Sequence, residues 1–139
     1  KAVENSPRKV YVIDNGFLKF FSPEFSLGRA FETLVAQHLY RYAVERFYDL
    51  YYWSSGGNEV DVVVKAGKKV LPVQITYELN NGNRERELEG LRSFRRLARF
   101  DEALIVTFSQ EGEEDGIRVV PAYKFLLKLE DYLDPLLRG

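Results

Sequence analysis

Four polar side chains in the sequence could meet at one site and hold a metal ion. Glu59 and Asp61 stand two residues apart in a predicted strand, so their side chains point to the same face of the sheet. Gln74 lies in the next predicted strand, and Glu32 lies on the preceding predicted helix, beside its apolar stripe. Converging oxygen ligands of this kind are those that Mg²⁺ prefers. On spacing alone, charged residues beside a hairpin are more often a solvated strand face.

The elements that would position these residues begin with a long amphipathic helix. Residues 1–8 have the polar composition of a linker, and residues 9–14 predict a short strand. Apolar residues then recur at spacings of three and four from Pro23 to about Phe47, which predicts a helix with Ser26 as its N-cap. We expect this helix to pack on the sheet. The residues expected in the contact are Leu27, Phe31 and Val35 on the helix and Ile75, Leu104 and Val106 on the sheet.

The rest of the chain predicts a meander of three strands, a helix and a further strand. In order, the predicted elements are strands 49–54, 59–65 and 69–77, helix 84–100, strand 103–108, an acidic loop 110–115, strand 117–120 and helix 121–129. The continuous apolar run of residues 103–108 is typical of a buried strand parallel to a neighbour. The sequence therefore predicts one α/β domain, with core order αβββαβ and a mixed sheet flanked by helices.

The composition is that of a globular domain. The chain has 139 residues, of which 45% are hydrophobic and 29% charged, enough for one domain with its own core. It has no membrane-spanning apolar run and no cysteine, which favours a cytoplasmic protein without membrane contact. The net charge of −1 gives no support to a nucleic-acid partner, although local patches can matter more than the sum. Because the first residue is not Met, we expect a piece of a longer protein.

Other candidate residues have a structural interpretation that is favoured over the functional one. His38, the single histidine, lies in the apolar helix stripe, where a satisfied, partly buried side chain is more common than a catalytic base. Late arginines on the second predicted helix suit its dipole and a solvated face. They are Arg92, Arg95, Arg96 and Arg99. An aromatic run is more typical of core than of a docking surface. Its members are Tyr48, Tyr51, Tyr52 and Trp53.

Seven segments of the sequence fall in an order that is informative when they are taken together. They are KVYVIDNG at 9–16, GRAFE at 28–32, YW at 52–53, GNEVD at 57–61, PVQITYE at 72–78, the helix start at 84–91 and VPAYKFLL at 120–127. Together they resemble the PD-(D/E)XK nuclease pattern, and more narrowly the C-terminal nuclease-like domain of a family of archaeal and bacterial AAA-type ATPases. This resemblance implies a restriction-endonuclease-like sheet, with residues 9–139 as the C-terminal part of a larger ATPase.

The resemblance also implies roles for the candidate site residues. In active members of the superfamily, a helix Glu, a strand Asp and an acid on the following strand bind metal, and a Lys two positions later orients the attacking water. Here Glu32 and Asp61 match, Gln74 stands at the position of the second acid, and Thr76 stands at that of the Lys. The implied metal ligands are thus Glu32, Asp61 and Gln74, with lowered affinity for Mg²⁺ because an amide brings no charge. Lys69 is a weak substitute for the missing cation.

The function implied by the resemblance is that of an accessory domain, catalytically weak or inactive, with a binding or regulatory role. Its implied partners are the ATPase portion of the same chain and, for a binding role, DNA. No ATP site is expected in these residues, because Gly67-Lys68-Lys69 lacks the other residues of a P-loop. Two alternatives stay open. One is an active Mg²⁺-dependent DNA endonuclease, and the other is a protein–protein interaction module.

Overall fold

The computed structural model describes residues 26–138, so the predictions for residues 1–8 and 9–14 lie outside the described residues. The helices are α1 (Leu27–Glu45), α2 (Arg84–Arg95), α3 (Ala122–Phe125) and α4 (Leu129–Leu137). None of these helices is both long and apolar enough to cross a membrane. The strands are β1 (Asp49–Ser55), β2 (Asn58–Ala66), β3 (Lys69–Ile75), β4 (Leu104–Thr107), β5 (Gly112–Glu114) and β6 (Ile117–Pro121).

The strands form one sheet in the order β1-β2-β3-β4-β6-β5. β1, β2 and β3 run antiparallel as a meander, whereas β3, β4 and β6 are parallel to one another. α2 connects β3 to β4, because parallel neighbours need a crossover rather than a tight turn. The predicted mixed α/β sheet and its order of helix, three strands, helix and strand are therefore confirmed.

One face of the sheet is covered by α1 and α4. Ser26 is the N-cap of α1 as predicted, since its Oγ accepts a hydrogen bond from Arg29 N–H at 3.1 Å. Phe31 and Val35 are buried in the expected contact. The sheet residues in the same cluster include Ile75, Leu104 and Val106. The prediction for Leu27 is wrong, because its side chain is 58% exposed. Helical side chains lean toward the N-terminus, so a residue at the first position projects beyond the packed part of the helix.

The opposite face of the sheet is covered by α2. Leu88, Leu91 and Phe94 recur at helical spacing and are all buried. Trp53 of β1 is fully buried and meets Phe94 edge to face, with the ring centroids 5.2 Å apart. This contact fixes the height of α2 above the sheet, and α2 forms one wall of the candidate site.

Two elements near α2 and β6 differ from their predictions. α2 ends at Arg95 rather than at residue 100, because the chain turns and brings Phe100 back to stack on Phe94, with centroids 5.9 Å apart. The predicted acidic loop contains the short strand β5, which pairs antiparallel with β6 at the sheet edge. Packing of Phe100 onto the core thus replaces the helical continuation of α2, whereas main-chain pairing with β6 forms the exposed strand β5.

The final helix is broken in two rather than continuous over residues 121–129. α3 ends at Phe125, and α4 begins at Leu129 after a short turn. The break gives α4 a new phase, so that three leucines spaced by four residues all face the core. They are Leu129, Leu133 and Leu137. The single-helix prediction is therefore wrong, because the tertiary burial of these leucines outweighs the local helical pattern.

Candidate functional site

A cavity of about 500 Å³ opens where the start of β2 and the end of β3 meet α1 and the first turn of α2. Glu32 and Asp61 both line it, so the structure brings these two predicted site residues together. Five carboxylates line the cavity in all. They are Glu32, Glu59, Asp61, Glu78 and Glu87. Among the described residues around it, Arg86 supplies the positive charge. The cavity therefore has a strongly negative potential.

β2 and β3 diverge at this cavity. There the side chain of Asp61, rather than the main chain of β2, accepts a hydrogen bond from the main chain of β3. The antiparallel pairing of the two strands ends at the pair Val62 and Val73. Beyond that pair, Asp61 Oδ2 accepts a hydrogen bond from Ile75 N–H at 2.7 Å. The Asp61 carboxylate is thus held between the two strands at the point where they separate.

A β-bulge in β2 accompanies the divergence. Trp53 of β1 pairs with Val60, whereas Tyr51 pairs with Val63, so β2 has one extra residue in this stretch. Asp61 lies within it. Bulges re-aim side chains, and they are common beside functional sites. Strict strand alternation predicts that the side chains of Glu59 and Asp61 lie on the same face of the sheet. The bulge interrupts this alternation, although both side chains line the cavity.

Gln74 lies behind Asp61 and is absent from the described residues that line the cavity. Its side chain is 1% exposed and is held by three main-chain groups. Its Oε1 accepts a hydrogen bond from Asp61 N–H at 3.0 Å. Its Nε2 donates to the carbonyl oxygens of Glu59 at 2.8 Å and Glu87 at 3.0 Å. The carboxamide thereby joins β2 to α2, and both amide hydrogens are used in doing so.

α2 approaches β2 closely because residue 90 is glycine. A Cβ at Gly90 would overlap the carbonyl oxygen of Glu59 and would lie 2.6 Å from Gln74 Nε2. Only a residue without a side chain fits at this distance. Gly90 therefore lets the main chain of α2 come near enough for the Glu87 carbonyl to accept a hydrogen bond from Gln74.

Thr76, where the resemblance implies a lysine, lines the cavity without bringing a charge. Its Oγ1 donates to the Glu78 carbonyl at 3.3 Å and accepts from Asn83 Nδ2 at 3.3 Å. Lys69 begins β3, and Ile75 ends it, which separates the two residues by about 20 Å along the strand. Lys69 is therefore too far from the cavity to take the place of the missing lysine.

Burial raises the pKa of the Asp61 carboxyl well above its ordinary range, and the nearby carboxylates Glu32 and Glu87 raise it further. The hydrogen bond from Ile75 N–H acts in the opposite direction. Burial also raises the pKa of Glu87, and the adjacent Arg86 guanidinium partly offsets this effect. The cavity thus concentrates negative charge that a proton or a bound cation would relieve.

We expect Asp61→Asn to raise the free energy of unfolding at neutral pH by about 1 kcal/mol. Because the pKa of Asp61 is higher in the folded state than in the unfolded state, Asp61 stabilises the folded protein at low pH, where its carboxyl is protonated. This contribution to stability is lost as the pH rises through the folded-state pKa. An asparagine keeps an oxygen for Ile75 N–H and presents a donor to the surrounding carboxylates. Denaturant unfolding should show a gain that grows as the pH rises, because a larger fraction of Asp61 in the unmodified chain is then ionised.

Glu113→Gln is the matched control for this prediction. Glu113 is exposed on β5 and does not line the cavity. Its replacement should change the free energy of unfolding by less than about 0.5 kcal/mol at every pH measured. If Asp61→Asn has the stability of the unmodified chain over the whole pH range, the electrostatic account of the cavity is wrong.

A complete Mg²⁺ site requires several oxygen ligands around one point. Within residues 26–138, no group of three or more Asp, Glu, His or Cys side chains lies close enough together to hold a metal ion. Gln74 Oε1 and Asp61 Oδ2, two of the expected ligand oxygens, each accept a main-chain hydrogen bond. The side chains as arranged therefore do not fit a complete Mg²⁺ site. Binding of Mg²⁺ by Glu32, Asp61 and Gln74 stays a prediction.

The other candidate residues do not themselves line the cavity. His38 is half-buried, and its Nδ1 lies 2.9 Å from the Leu34 carbonyl oxygen one turn earlier. Tyr51 and Trp53 are buried in the core beneath α2. Tyr52 is half-buried, and its hydroxyl donates to the Glu59 carboxylate at 2.7 Å. The aromatic run therefore consists partly of core residues and partly of residues that support the rim of the cavity.

Glu87 is a buried cavity carboxylate that the sequence analysis did not single out. It is 8% exposed although it stands in the first turn of α2, where an exposed acid would suit the helix dipole equally well. The signal for its role is its spacing, because Gly90, Leu91 and Phe94 follow it on the stripe that faces the sheet. An acidic residue on the buried stripe of a helix marks a site candidate.

Comparisons with known proteins identify the family of the chain. The family described as "Domain of unknown function (DUF4143)" matches residues 27–125, a range that contains all the residues lining the cavity. An uncharacterized protein of Methanocaldococcus jannaschii is 31% identical over 129 residues, which cover 86% of this chain and 29% of that protein. The chain thus spans less than a third of the length of this relative. Because the family match extends over most of the chain, from α1 to α3, the chain belongs to the DUF4143 family.

Proposed function

We propose that this chain is a nuclease-like accessory domain of the PD-(D/E)XK type, attached to the AAA-type ATPase portion of a longer protein. In this proposal its catalytic activity is weak or absent, and its role is binding or regulation. The order of helices and strands supports it, as does the cavity shared by Glu32 and Asp61. The archaeal relative, of which this chain spans 29%, is long enough to contain an ATPase portion as well.

The observation that carries the proposal is the engagement of the Gln74 amide. Active members of the superfamily that the sequence resembles have a metal-binding acid at this position. Here Nε2 donates to the carbonyls of Glu59 and Glu87, which a carboxylate cannot do because it has no hydrogen to donate. Two positions later, Thr76 brings no cation. Removing one electrostatic partner of a transition state typically costs about 10²–10³ in rate, so the loss of two supports an inactive domain.

An active Mg²⁺-dependent endonuclease is the second candidate, and the negative cavity favours it. The neighbouring carboxylates raise the pKa of Asp61, and a divalent cation would relieve the same repulsion. Glu87 also supplies a carboxylate to the cavity, where Gln74 supplies none. This candidate differs from the accessory role in requiring DNA cleavage that depends on Asp61.

We expect the 139-residue chain to leave supercoiled plasmid and branched DNA uncut when Mg²⁺ or Mn²⁺ is supplied. The reason is that neither a second strand acid nor a water-orienting cation is present at Gln74 and Thr76. Gel electrophoresis of the DNA after prolonged incubation measures the outcome, with Asp61→Ala prepared and assayed in parallel.

Asp61→Ala separates the two ways in which cleavage could be observed. Cleavage by the unmodified chain that disappears in Asp61→Ala would overturn the inactive assignment and establish the endonuclease. Cleavage of equal strength in both preparations would come from a contaminating nuclease and would leave the domain itself inactive. Circular dichroism spectra of the two proteins should be compared first, so that a loss of activity is not a loss of folding.

A further inference from the structure

A second groove of about 460 Å³ lies at the opposite end of β3 from the acidic cavity. The β2–β3 turn, the connection from α2 to β4 and the C-terminal part of α4 form its walls. Its floor is apolar. The floor residues are Val70, Leu71, Phe100, Pro135 and Leu136. Its rim bears the exposed cations Lys68, Lys69 and Arg99.

The rim cations have no carboxylate partner among residues 26–138. Lys68, Lys69 and Arg99 form no ion pair with any residue in this part of the chain, although Asp101 and Glu102 also line the groove. Several cations elsewhere on the surface take part in ion pairs. Those with ion pairs are Arg46, Arg84, Arg86, Arg92, Arg96, Lys124 and Arg138. The positive charge at the groove is therefore available to an external anion.

A fourth cation stands next to the groove. The Arg95 guanidinium lies over the ring of Phe100, 4.5 Å from its centroid, and Phe100 forms part of the groove floor. Three cations thus line the groove against two carboxylates, with Arg95 beside it, whereas five carboxylates line the cavity against one guanidinium. The two ends are about 20 Å apart along β3. A polyanion is repelled at the cavity and attracted at the groove.

We propose that the groove formed by the β2–β3 turn and the α2–β4 connection binds the phosphate backbone of double-stranded DNA. The surface is distinct from the nuclease-like cavity, and the inference does not depend on whether that cavity is active. Exposed, unpaired lysine and arginine side chains are the groups that neutralise phosphates. Phe100 is 6% exposed, so the groove offers no aromatic face for stacking unpaired bases. Duplex backbone is therefore favoured over single strands.

The experiment measures fluorescence anisotropy of a labelled DNA duplex of arbitrary sequence as the 139-residue chain is added. Three phosphate contacts give a salt slope of about −2.7, so the affinity should fall about 40-fold between about 50 and 200 mM NaCl. The triple variant Lys68→Glu, Lys69→Glu, Arg99→Glu should bind at least about tenfold more weakly at the lower salt concentration and should lose most of the salt dependence.

A control with the same change in net charge shows whether the groove itself is responsible. The variant Arg41→Glu, Lys124→Glu, Lys128→Glu reverses three exposed cations that do not line the groove. It should keep the affinity to within about threefold, because distant exposed charges are largely screened. Circular dichroism and thermal unfolding of both variants verify that each is folded.

Three results would overturn the proposal. The first is the absence of duplex binding by the unmodified chain up to about 100 µM protein at the lower salt concentration, the weak end of non-specific DNA affinity. The second is equal binding by the two triple variants. The third is groove-dependent binding of a labelled poly-glutamate peptide in place of DNA, which would assign the groove to an acidic protein. Preferential binding of duplex RNA or of single strands would likewise contradict the assignment to double-stranded DNA.

Discussion

Replacing Gln74 with glutamate should lower the free energy of unfolding by about 3 kcal/mol at neutral pH, because each buried group that loses its hydrogen-bond partner costs about 1–3 kcal/mol. The introduced carboxylate would face the carbonyl oxygens of Glu59 and Glu87 at the positions where Gln74 Nε2 now donates. These two carbonyl oxygens would then face a negative charge at a position where the Gln74 side chain is only 1% exposed. Urea unfolding followed by the fluorescence of Trp53, the single tryptophan, measures the change.

The pH dependence of this variant provides a second test of the same cause. Burial should raise the pKa of the introduced carboxyl above the ordinary glutamate value of about 4.3. A raised folded-state pKa stabilises the folded state at low pH, and this contribution is lost as the pH rises through that pKa. The difference from the unmodified chain should therefore shrink as the pH is lowered. A difference that stays constant with pH would mean that lost packing, rather than charge, causes the destabilisation.

Gln110→Glu is the matched control for Gln74→Glu. The Gln110 side chain also bridges a main-chain segment, since its Oε1 accepts from Leu79 N–H and its Nε2 donates to the Leu79 carbonyl. Gln110 is half-buried, and only one of its donors is used in this way. The substitution should cost about 1 kcal/mol, the value of a single partly exposed hydrogen bond. Equal costs for the two substitutions would contradict the special role of Gln74.

The sheet itself could be predicted closely from local patterns. The predicted strands 49–54, 59–65 and 69–77 end within two residues of β1, β2 and β3. Glycines with positive φ define both hairpin turns, with φ of 57° and 86° at Gly56 and Gly57 and 63° at Gly67. Such turns depend on neighbours in sequence, so a single sequence contains the information that positions them.

The role of Gln74 could not be predicted in the same way. Strand alternation gives the face on which a side chain lies, but not how deeply it is buried or what it contacts. Gln74 Nε2 donates to Glu87, thirteen residues away on α2, and this contact exists because Gly90 lets the helix approach. The bulge that re-aims Asp61 likewise depends on the pairing of β2 with β1. The sequence thus predicts which residues are near the site, while long-range packing decides what each of them does.

Gly90→Ala should lower the free energy of unfolding by about 3 kcal/mol, at the upper end of the cost of overpacking a core. The new methyl group would overlap the carbonyl oxygen of Glu59, which belongs to the sheet and cannot rotate away. α2 would have to move outward, and Gln74 would lose its contact with the Glu87 carbonyl. Helix propensity alone predicts the opposite sign, because alanine is more favourable than glycine in a helix by about 1 kcal/mol.

Gly28→Ala is the control that separates these two effects. Gly28 lies in the first turn of α1, and a Cβ there would meet no atom within 4 Å, so this substitution should raise the free energy of unfolding by about 0.5 kcal/mol. The fluorescence of Trp53 reports the position of α2 directly, because Phe94 of α2 packs edge to face against the indole. In folded Gly90→Ala the emission should shift to longer wavelength as α2 moves away, and in Gly28→Ala it should not. Stabilisation by both alanines, with unchanged emission, would show that the close approach of α2 to β2 does not hold the site together.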